Sequence, residues 1–424
     1  MKVLILYDQY STFTNTVYEH LLAFAKHSRH TFAYSHGEGW IPRIRWDAFD
    51  AVIIHYSLRV AYGSIPPRLM SQIAQFPGVK FLFVQDEYDF TERTRQAIET
   101  LKVDVVFTCV PPAHREKVYS ANRFPNVRFV QTYTGFVPED VDLSQNLPIS
   151  KRAVVCGYRG RALPYWYGDL GQEKQIIAEV MKSYCLRRKI PCDIEWDDNH
   201  RIYGGQWLDF LRRCKATLGT ESGSNLFDDD GSLRKRFGNY LAEHPDASYQ
   251  EARSAVLGND FAETPTMNQV SPRVFEAIMC GTALVLFEGE YSGVVKPNLH
   301  FIPLRKDFSN IDEVFRTLEN DDALQAMTER AFLDVIASRR YTYLSLIRDF
   351  ESLLENEAVK KNILPRIPLI FDWEVRQNPV RTAPAVLPHW LRRLWRAIPQ
   401  DIRSRAKPTA RRAWDFIDGK RNSR

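Results

Sequence analysis

The chain has 424 residues, about two to three times the length of a typical domain, which predicts two domains. Hydrophobic residues make up 44% and charged residues 26%, so collagen-like, coiled-coil and wholly disordered chains are excluded. The net charge of +5 is uneven, because residues 387–424 hold 11 Lys or Arg against 3 Asp or Glu and leave the remainder slightly acidic.

The start of the chain and the cysteines indicate a cellular compartment. No stretch approaches the roughly 18 consecutive apolar residues of a membrane-spanning helix, and the apolar run after Met1 is too short for a secretory signal. The six cysteines form no CxxC pair, which argues against a disulfide framework or a zinc site. We therefore expect a cytoplasmic protein whose cysteines are all free thiols.

The amino-terminal residues 1–148 are predicted to form one α/β domain. Apolar runs rich in Val, Ile and Phe alternate with helical stretches, and they occupy residues 2–8, 49–56, 79–89, 103–110 and 127–133. These runs do not alternate strictly with polar residues, as is typical of parallel strands covered on both faces. The pattern predicts a doubly wound, Rossmann-like sheet.

The same pattern restarts in residues 149–356, which we predict to be a second domain. Its strands are expected at residues 151–160, 192–196, 215–221, 282–289 and 300–304, with helices at 171–188, 207–214, 271–281, 311–336 and 341–356. A polar, helix-like insertion occupies residues 231–258, a Pro-containing linker residues 357–386, and a basic amphipathic tail residues 387–424. The predicted fold class is α/β, with two Rossmann-like domains facing a cleft, in which ligands bind beyond the carboxyl ends of the strands.

Several common site motifs are missing from this framework. The loop after the first strand, DQYSTF, has no glycine, which argues against a dinucleotide-dependent oxidoreductase. The sequence also contains no GxxxxGK[ST], HExxH or GxSxG motif. P-loop NTPases, zincin metalloproteases and α/β-hydrolases therefore lose their main support.

The segment SPRVFEAIMCGTALVLFEG, residues 271–289, carries the strongest functional signal. Ser271 can cap a helix that begins at Pro272, and the exposed amides and helix dipole then favour an anion. Arg273 adds a permanent cation in the first turn, suited to a diphosphate. Glu276 lies one turn further on, where its carboxylate can accept hydrogen bonds from ribose hydroxyls.

The run FEAIMCGTALVL resembles the sugar-nucleotide site of GT-B fold glycosyltransferases of group 1 and family 4, including the spore-maturation glycosyltransferase-like proteins. The similarity covers roughly residues 1–355 and implies a nucleotide-sugar co-substrate, with no metal ion and no cofactor. It implies that Arg159 or Arg161, together with Lys174, neutralises the donor diphosphate. It places Lys296, with the nearby His300, at the same edge of the cleft.

Two further features of the second domain bear on this resemblance. Backbone amides around Ser222 and Gly223 are expected to approach the base or the phosphates. The three acids Asp228, Asp229 and Asp230 are expected to form a solvated turn rather than a metal site. Many retaining members carry a glutamate eight residues before the position of Glu276, where this chain has Asn268, so the resemblance does not assign the stereochemical outcome.

The acceptor and any general base are expected at the strand ends of the first domain. Asp86 and Glu87 end one apolar run and His55 ends another, and these three are the candidate catalytic residues. Strand-end acids also cap helices, and a single strand-end histidine is also compatible with a structural hydrogen bond. The residue types leave both interpretations open.

These observations predict a glycosyltransferase that moves a sugar from a nucleotide-sugar donor to a hydroxyl of a glycan or lipid-linked acceptor, in bacterial surface polysaccharide synthesis. The alternatives are a nucleotide-sugar epimerase on the same scaffold and a catalytically silent glycan-binding or scaffold protein. In the tail, Leu391, Leu394, Trp395 and Ile398 fall on one helical face and the arginines on the other, which favours an anionic membrane surface on the inner face of the cell membrane. Packing of the tail on the protein itself is the competing interpretation, and no motif for nucleic-acid binding accompanies the charge.

Overall fold

The computed structural model describes residues 1–39, 43–202, 204–258, 265–363 and 376–382. Within these residues the chain forms two parallel β-sheets, each covered by helices on both faces, as the alternating apolar runs predict. The predicted tail at residues 387–424 and most of the predicted linker lie outside the described residues.

The first domain is built on six parallel strands with the order β2-β1-β3-β4-β5-β6. The strands are β1 (Lys2–Tyr7), β2 (Thr31–His36), β3 (Ala51–Ile54), β4 (Val79–Phe83), β5 (Val105–Thr108) and β6 (Arg128–Gln131). The helices between them are α1 (Asn15–His27), α2 (Pro67–Gln75), α3 (Thr91–Leu101) and α4 (Pro112–Val118). The sequence prediction omitted β2, whose only partner among the strands of the sheet is β1 and whose residues TFAYSH include polar side chains and a single aliphatic one.

The second domain is built on five parallel strands with the order β11-β10-β9-β7-β8. The strands are β7 (Val154–Arg159), β8 (Cys192–Glu195), β9 (Cys214–Gly219), β10 (Ala283–Phe287) and β11 (Ile302–Leu304). The helices are α5 (Gly168–Arg188), α6 (Gly205–Arg213), α7 (Ser232–Glu243), α8 (Tyr249–Leu257), α9 (Pro272–Met279), α10 (Ile311–Leu318) and α11 (Asp321–Ala331). The polar insertion is thus a pair of helices, α7 and α8, with a small apolar core of its own.

The last described helix, α12 (Tyr343–Lys360), returns to the first domain. The ring of Phe350 lies 5.3 Å from that of Phe24 and 4.8 Å from that of Phe81, both in the first domain. The chain therefore crosses between the domains twice, and the crossings meet where the amide of Val137 donates to the carbonyl of Tyr341 over 2.8 Å. This differs from the expected boundaries, which place the helix in the second domain and residues 357–360 in the linker. Among the described residues, no helix has both the length and the apolar character needed to cross a membrane.

The strand order of the second sheet determines where a ligand can bind. The chain forms β7 first, adds β8 on one side, and then places β9, β10 and β11 on the other side. The crossovers therefore leave in opposite directions from β7, and a crevice opens between the carboxyl ends of β7 and β9. The second domain has its candidate site at this point.

Candidate functional site

A cavity of about 300 Å³ opens at the carboxyl ends of β7 and β9. Its walls include Tyr158 and Gly160 at the end of β7. They also include Thr217 in β9 and Thr220 immediately after it. Four of the predicted donor-site residues also line it, namely Arg161, Lys174, Ser222 and Arg273. The structure thus brings residues from four separate segments to one crevice.

Three of these side chains are cations, and they act on one another electrostatically. Desolvation, together with the positive charges of Arg273 and Arg161, lowers the pKa of Lys174 to about 8. The carboxylate of Asp86, in the first domain, acts in the opposite direction. A site that holds repelling cations in a partly dehydrated crevice is stabilised by an anion with more than one negative charge.

The amino end of α9 opens into the same cavity. Ser271 is its N-cap, and the Ser271 hydroxyl accepts a hydrogen bond from the amide of Arg273. Ser271 and Arg273 both line the cavity, so the dipole of this apolar-faced helix adds to the positive potential. The Arg273 guanidinium donates to the carbonyl of Arg159 and lies 5.2 Å from the centre of the Trp207 ring.

Glu276 lies one turn beyond this helix end and is held by Trp207. The indole Nε1 of Trp207 donates to Glu276 Oε2 over 2.7 Å. Burial raises the pKa of Glu276, while the bond from Trp207 and the charge of Arg273 lower it. Glu276 Oε1 accepts no hydrogen bond from the residues that the structure describes, and Glu276 itself lies behind Trp207, outside the set of residues that line the cavity.

Arg159 is adjacent to the cavity but its side chain is engaged elsewhere. Its guanidinium Nη2 donates to Asp193 Oδ1 over 2.7 Å, and the group lies over the Phe210 ring at 4.4 Å. Arg159 is the last residue of β7, and Arg161 follows after Gly160, where the loop turns into the cavity. The sequence left Arg159 and Arg161 open as alternatives, and of these two Arg161 lines the cavity.

The loop after β9 reaches the cavity through Ser222, but much of its backbone is already bonded. The amide of Ser222 donates to the carbonyl of Gln269 over 2.8 Å, so this amide is not available to a phosphate. Gly223 has φ +110°, and a Cβ there would lie 2.3 Å from the Cβ of Met267. Gly223 is therefore required for the close approach of two backbone segments.

Lys296 lies outside the set of residues that line the cavity. Its side chain is exposed, and its amide donates to Nδ1 of His300 over 3.2 Å. The other ring nitrogen of His300, Nε2, bonds Asp334 over 3.1 Å, so this histidine supports a turn. The structure does not bring Lys296 to Lys174 and Arg273.

Asp86 is the acceptor-side candidate that interacts electrostatically with a cavity residue, Lys174, although Asp86 itself does not line the cavity. It follows β4 with φ +57°, and its carboxylate accepts hydrogen bonds from Tyr88 over 2.7 Å and from Arg59 over 3.2 Å. Its side chain is 50% exposed, which leaves room for a ligand. The carboxylate of Asp86, in the first domain, raises the pKa of Lys174, in the second, so charges from the two domains act on one another.

Glu87, the neighbouring candidate, points into the first domain. Its carboxylate accepts hydrogen bonds from the Thr108 hydroxyl, from the Cys109 amide over 3.0 Å and from the Tyr119 hydroxyl over 3.1 Å. Burial raises its pKa to about 7, although these three bonds lower it. Glu87 is 1% exposed, so its protonation state depends on groups inside the first domain rather than on a ligand in the cleft.

His55 is also held inside the first domain. Its Nδ1 bonds Ser57 Oγ over 2.9 Å and its Nε2 bonds Nδ1 of His20 over 3.0 Å. Burial lowers the pKa of His55, and His20 lowers it further, so the imidazole is neutral near pH 7. Both ring nitrogens are used, and contact between His55 and an acceptor sugar would require these bonds to break.

Sequence reasoning missed Trp207, which lines the cavity and orients two predicted site residues. Trp207 lies in the first turns of α6 at helical spacing from Phe210 and Leu211, so the pattern indicates a core position. The available signal was its place shortly after β8, because residues that follow strand ends in a parallel sheet meet at the ligand edge.

The fold is similar to that of solved glycosyltransferases. An alpha-glucosyltransferase in complex with UDP-glucose and DNA containing an abasic site has a TM-score of 0.51 at 10% identity, covering 84% of this chain and 99% of that one. Sucrose-phosphate synthase from Thermosynechococcus elongatus has a TM-score of 0.42 at 12% identity, covering 85% and 100%. TarM has a TM-score of 0.43 at 13% identity, covering 72% of this chain and 54% of TarM. This chain therefore spans about half the length of TarM. Neither a protein-family model nor a curated protein matches this sequence. The predicted fold class, two Rossmann-like domains facing a cleft in the GT-B arrangement, is confirmed.

Proposed function

We propose that the protein is a glycosyltransferase that moves a sugar from a nucleoside diphosphate sugar to a hydroxyl of a glycan or glycoconjugate. The observation that carries this proposal is the convergence of Arg161, Lys174 and Arg273 with the amino end of α9 in one crevice. A diphosphate fits this arrangement, since it carries two or more negative charges and offers several acceptor oxygens to fixed donors.

The rest of the donor would extend from this point. Glu276 would accept hydrogen bonds from the ribose hydroxyls through Oε1, while Trp207 holds Oε2 in place. Ser222 would contact the diphosphate through its side chain, since its amide is bonded to Gln269. The solved complex of the similarly folded alpha-glucosyltransferase with UDP-glucose is consistent with a nucleotide-sugar donor. The closer kinship with group-1 and family-4 enzymes remains part of this proposal.

The transfer itself needs charge stabilisation on one side and a base on the other. The bond between the anomeric carbon and the diphosphate oxygen breaks, and the diphosphate leaves with the bonding electrons. Lys174, Arg161 and Arg273 would stabilise that charge without a metal ion. The acceptor oxygen bonds to the anomeric carbon, and its proton passes to a carboxylate, for which we propose Asp86 because its carboxylate is half-exposed and acts electrostatically on Lys174.

Thermal unfolding with UDP, GDP, ADP and CMP, each with its sugars, tests the proposal. At 100 times its Kd, a ligand stabilises the folded state by about 2.7 kcal/mol, which raises the melting temperature of a chain of this length by roughly 3 °C. We expect one nucleoside diphosphate to give this shift and Glu276→Ala to abolish it.

The matched control is Glu313→Ala, which removes an exposed carboxylate on α10 and should keep the full shift. If no compound in the panel stabilises the protein, the donor site is absent and a silent glycan-binding protein becomes the better explanation. If a sugar nucleotide is consumed with no acceptor and yields an isomeric sugar nucleotide, the protein is an epimerase.

We further propose that the acceptor is presented at an anionic membrane surface, which would suit the synthesis of a surface polysaccharide. Residues 376–382 cross the edge strand β2, where Arg376 and Tyr34 exchange backbone hydrogen bonds of 2.8 and 3.1 Å. The segment then reaches the loop after β1, where the Thr382 hydroxyl donates to the carbonyl of Gln9 over 3.1 Å. The basic residues 387–424 thus follow a point at the cleft edge of the acceptor domain.

Vesicle flotation tests this second step. The full chain is expected to float with vesicles containing 30% phosphatidylglycerol and to stay in solution with pure phosphatidylcholine, since each basic residue near an anionic surface contributes about 1 kcal/mol. A variant ending at Val386 should stay in solution with both kinds of vesicle. Equal flotation of the full chain and the shortened variant would contradict membrane docking by the tail.

A further inference from the structure

The two domains also meet at a contact that involves neither chain crossing. We call it the interdomain clasp, and it consists of residues 86–95 and 228–234. The amide of Thr91 donates to the carbonyl of Asp228 over 3.2 Å, and that of Glu92 donates to the carbonyl of Asp229 over 3.1 Å. These amides begin α3, whose N-cap residue Phe90 provides no side-chain cap. Backbone carbonyls of the second domain therefore accept hydrogen bonds from the amides at the amino end of a helix in the first domain.

Asp228 also caps a helix of its own domain. Its carboxylate accepts hydrogen bonds from the amides of Gly231, Leu233 and Arg234 at 2.9, 3.1 and 3.1 Å, which is the amino end of α7. Asp228 is 2% exposed, which differs from the solvated turn expected for this acid. The amino ends of α3 and α7 thus meet at Asp228. Its backbone carbonyl accepts a hydrogen bond from α3, and its carboxylate caps α7.

A buried ion pair lies beside these backbone bonds. Arg234 Nη2 and Asp89 Oδ1 are 2.5 Å apart, and the two side chains are 10% and 3% exposed. Asp89 Oδ2 accepts hydrogen bonds from the hydroxyls of Tyr62 over 2.6 Å and Tyr167 over 3.3 Å. Tyr167 belongs to the second domain, so Asp89 is bonded to that domain twice.

Aromatic rings close the same contact. The Arg234 guanidinium lies 4.8 Å from the centre of the Phe90 ring in the first domain and 5.2 Å from that of Trp166 in the second. Trp166 packs against the apolar core shared by α7 and α8. The helical insertion therefore contacts the acceptor domain through Arg234. The sequence alone did not indicate this role for the insertion.

The clasp is connected directly to both sides of the candidate site. On the acceptor side, the amide of Asp89 donates to the carbonyl of Asp86 over 3.0 Å, so a tight turn fixes Asp86 relative to Asp89. On the donor side, Tyr167 immediately precedes α5, the helix that carries Lys174 into the cavity. A change in the distance between Asp89 and Arg234 would therefore move Asp86 relative to Lys174.

We propose that Asp89 and Arg234 are positioning residues that hold the two domains closed, so that Asp86 faces the sugar carried by the donor cavity and water is excluded from it. This inference rests on the proposed function. Closure matters in group transfer because an activated sugar that meets water is hydrolysed. Neither residue touches the cavity, and both act through the turn at Asp86 and through α5.

The first test measures the contact without any activity. In Arg234→Met, hydrogen exchange at the amides of Thr91 and Glu92 is expected to become at least tenfold faster, because the carbonyls that protect them move away. The matched control is Arg253→Met on α8, which removes an arginine that pairs with Asp169 at 3.6 Å within the second domain. Unchanged exchange in Arg234→Met would show that the ion pair does not hold the clasp and would overturn the inference.

The second test measures function with the nucleotide sugar that binds in the thermal panel. Arg234→Met is expected to lower kcat for transfer at least tenfold and to raise donor hydrolysis without acceptor severalfold, with the Kd of the nucleoside diphosphate within threefold. Arg234→Lys, which keeps the charge, should recover part of the kcat. A purely structural clasp would not separate kcat from Kd in this way.

Three results would decide against the inference or its basis. If Arg234→Met exchanges faster at Thr91 and Glu92 but has the same kcat as the Arg253→Met control, the clasp has no positioning effect. If Arg234→Met does not fold, Tyr167→Phe replaces it, since it removes only the second-domain hydroxyl bonded to Asp89. A kcat equal to the parent's would then reject the proposal. A parent protein that transfers no sugar would reject the proposed function instead, while the exchange experiment still reports on the contact.

Discussion

Replacing Lys174 with methionine is expected to weaken the binding of a nucleoside diphosphate by about 10- to 150-fold. A charge-assisted hydrogen bond contributes about 1.5–3 kcal/mol, and each 1.4 kcal/mol changes Kd about tenfold. Methionine has a similar length and fits the apolar parts of the wall, so the loss reports on the ammonium group. Isothermal titration calorimetry with the nucleotide that gives the thermal shift measures the effect.

The control for this prediction is Arg159→Met. Arg159 carries the same kind of charge at the end of β7, but its guanidinium is paired with Asp193 and lies on Phe210. We expect the Kd of this variant to stay within threefold of the parent. Equal losses in Lys174→Met and Arg159→Met would indicate a diffuse positive field rather than a defined diphosphate site.

The pKa of Lys174 gives the same prediction a pH dependence. In the empty protein this pKa is lowered to about 8, so Lys174 loses its charge as the pH rises through 8. A bound diphosphate favours the charged form and raises the pKa, so binding above pH 8 takes up a proton and becomes weaker as the pH increases. Affinity should therefore be level below pH 7 and fall between pH 8 and 10, and Lys174→Met should remove this decrease.

The sequence predicted the interior of both domains well, because buried parallel strands leave a strong signal. Apolar runs of Val, Ile and Phe coincide with β1, β3 and β5 to within two residues, and the run at 79–89 begins with β4 but extends six residues beyond its end. The edge strand β2 was missed since Thr31, Ser35 and His36 give it no such run. Four of its six residues are nevertheless buried, because the strand is placed by its pairing with β1, which the local sequence does not show.

The donor side of the site was predicted from local chemistry, whereas contacts between distant segments were not predicted. Ser271, Arg273 and Glu276 share one helix, so their spacing alone places them together. The choice between Arg159 and Arg161 depends on where β7 ends, and element boundaries are the least predictable part of a sequence analysis. Asp228 was expected in solvent, but its carboxylate caps α7 in its own domain and its carbonyl accepts a hydrogen bond from the amide of Thr91, a contact with the other domain that the local sequence does not contain. The path of α12 back to the first domain likewise requires the three-dimensional fold.

Substituting Asp86 with asparagine is expected to lower the rate of sugar transfer by about 10²- to 10⁴-fold, the usual contribution of a positioned general base. Asparagine has the same shape and can still accept a hydrogen bond from Tyr88 or Arg59, so the turn should survive while the proton acceptor is lost. The Kd of the nucleoside diphosphate should change less than threefold, because the contacts that bind it lie in the other domain. Steady-state kinetics and titration calorimetry on the same preparation separate the two effects.

Glu87→Gln is the matched control, and it distinguishes a base in the cleft from a carboxyl in the interior. An amide at this position can give its oxygen to the Cys109 amide and its NH₂ to the hydroxyls of Thr108 and Tyr119, so the fold should be retained. The raised pKa of about 7 means that Glu87 holds its proton more tightly in the folded state than in the unfolded chain. Its contribution to stability is therefore complete below about pH 4.5 and is lost as the pH rises through 7, and glutamine should flatten this dependence while kcat stays within a few fold. A large loss of kcat in Glu87→Gln and a small one in Asp86→Asn would transfer the general-base assignment from the cleft to the domain interior.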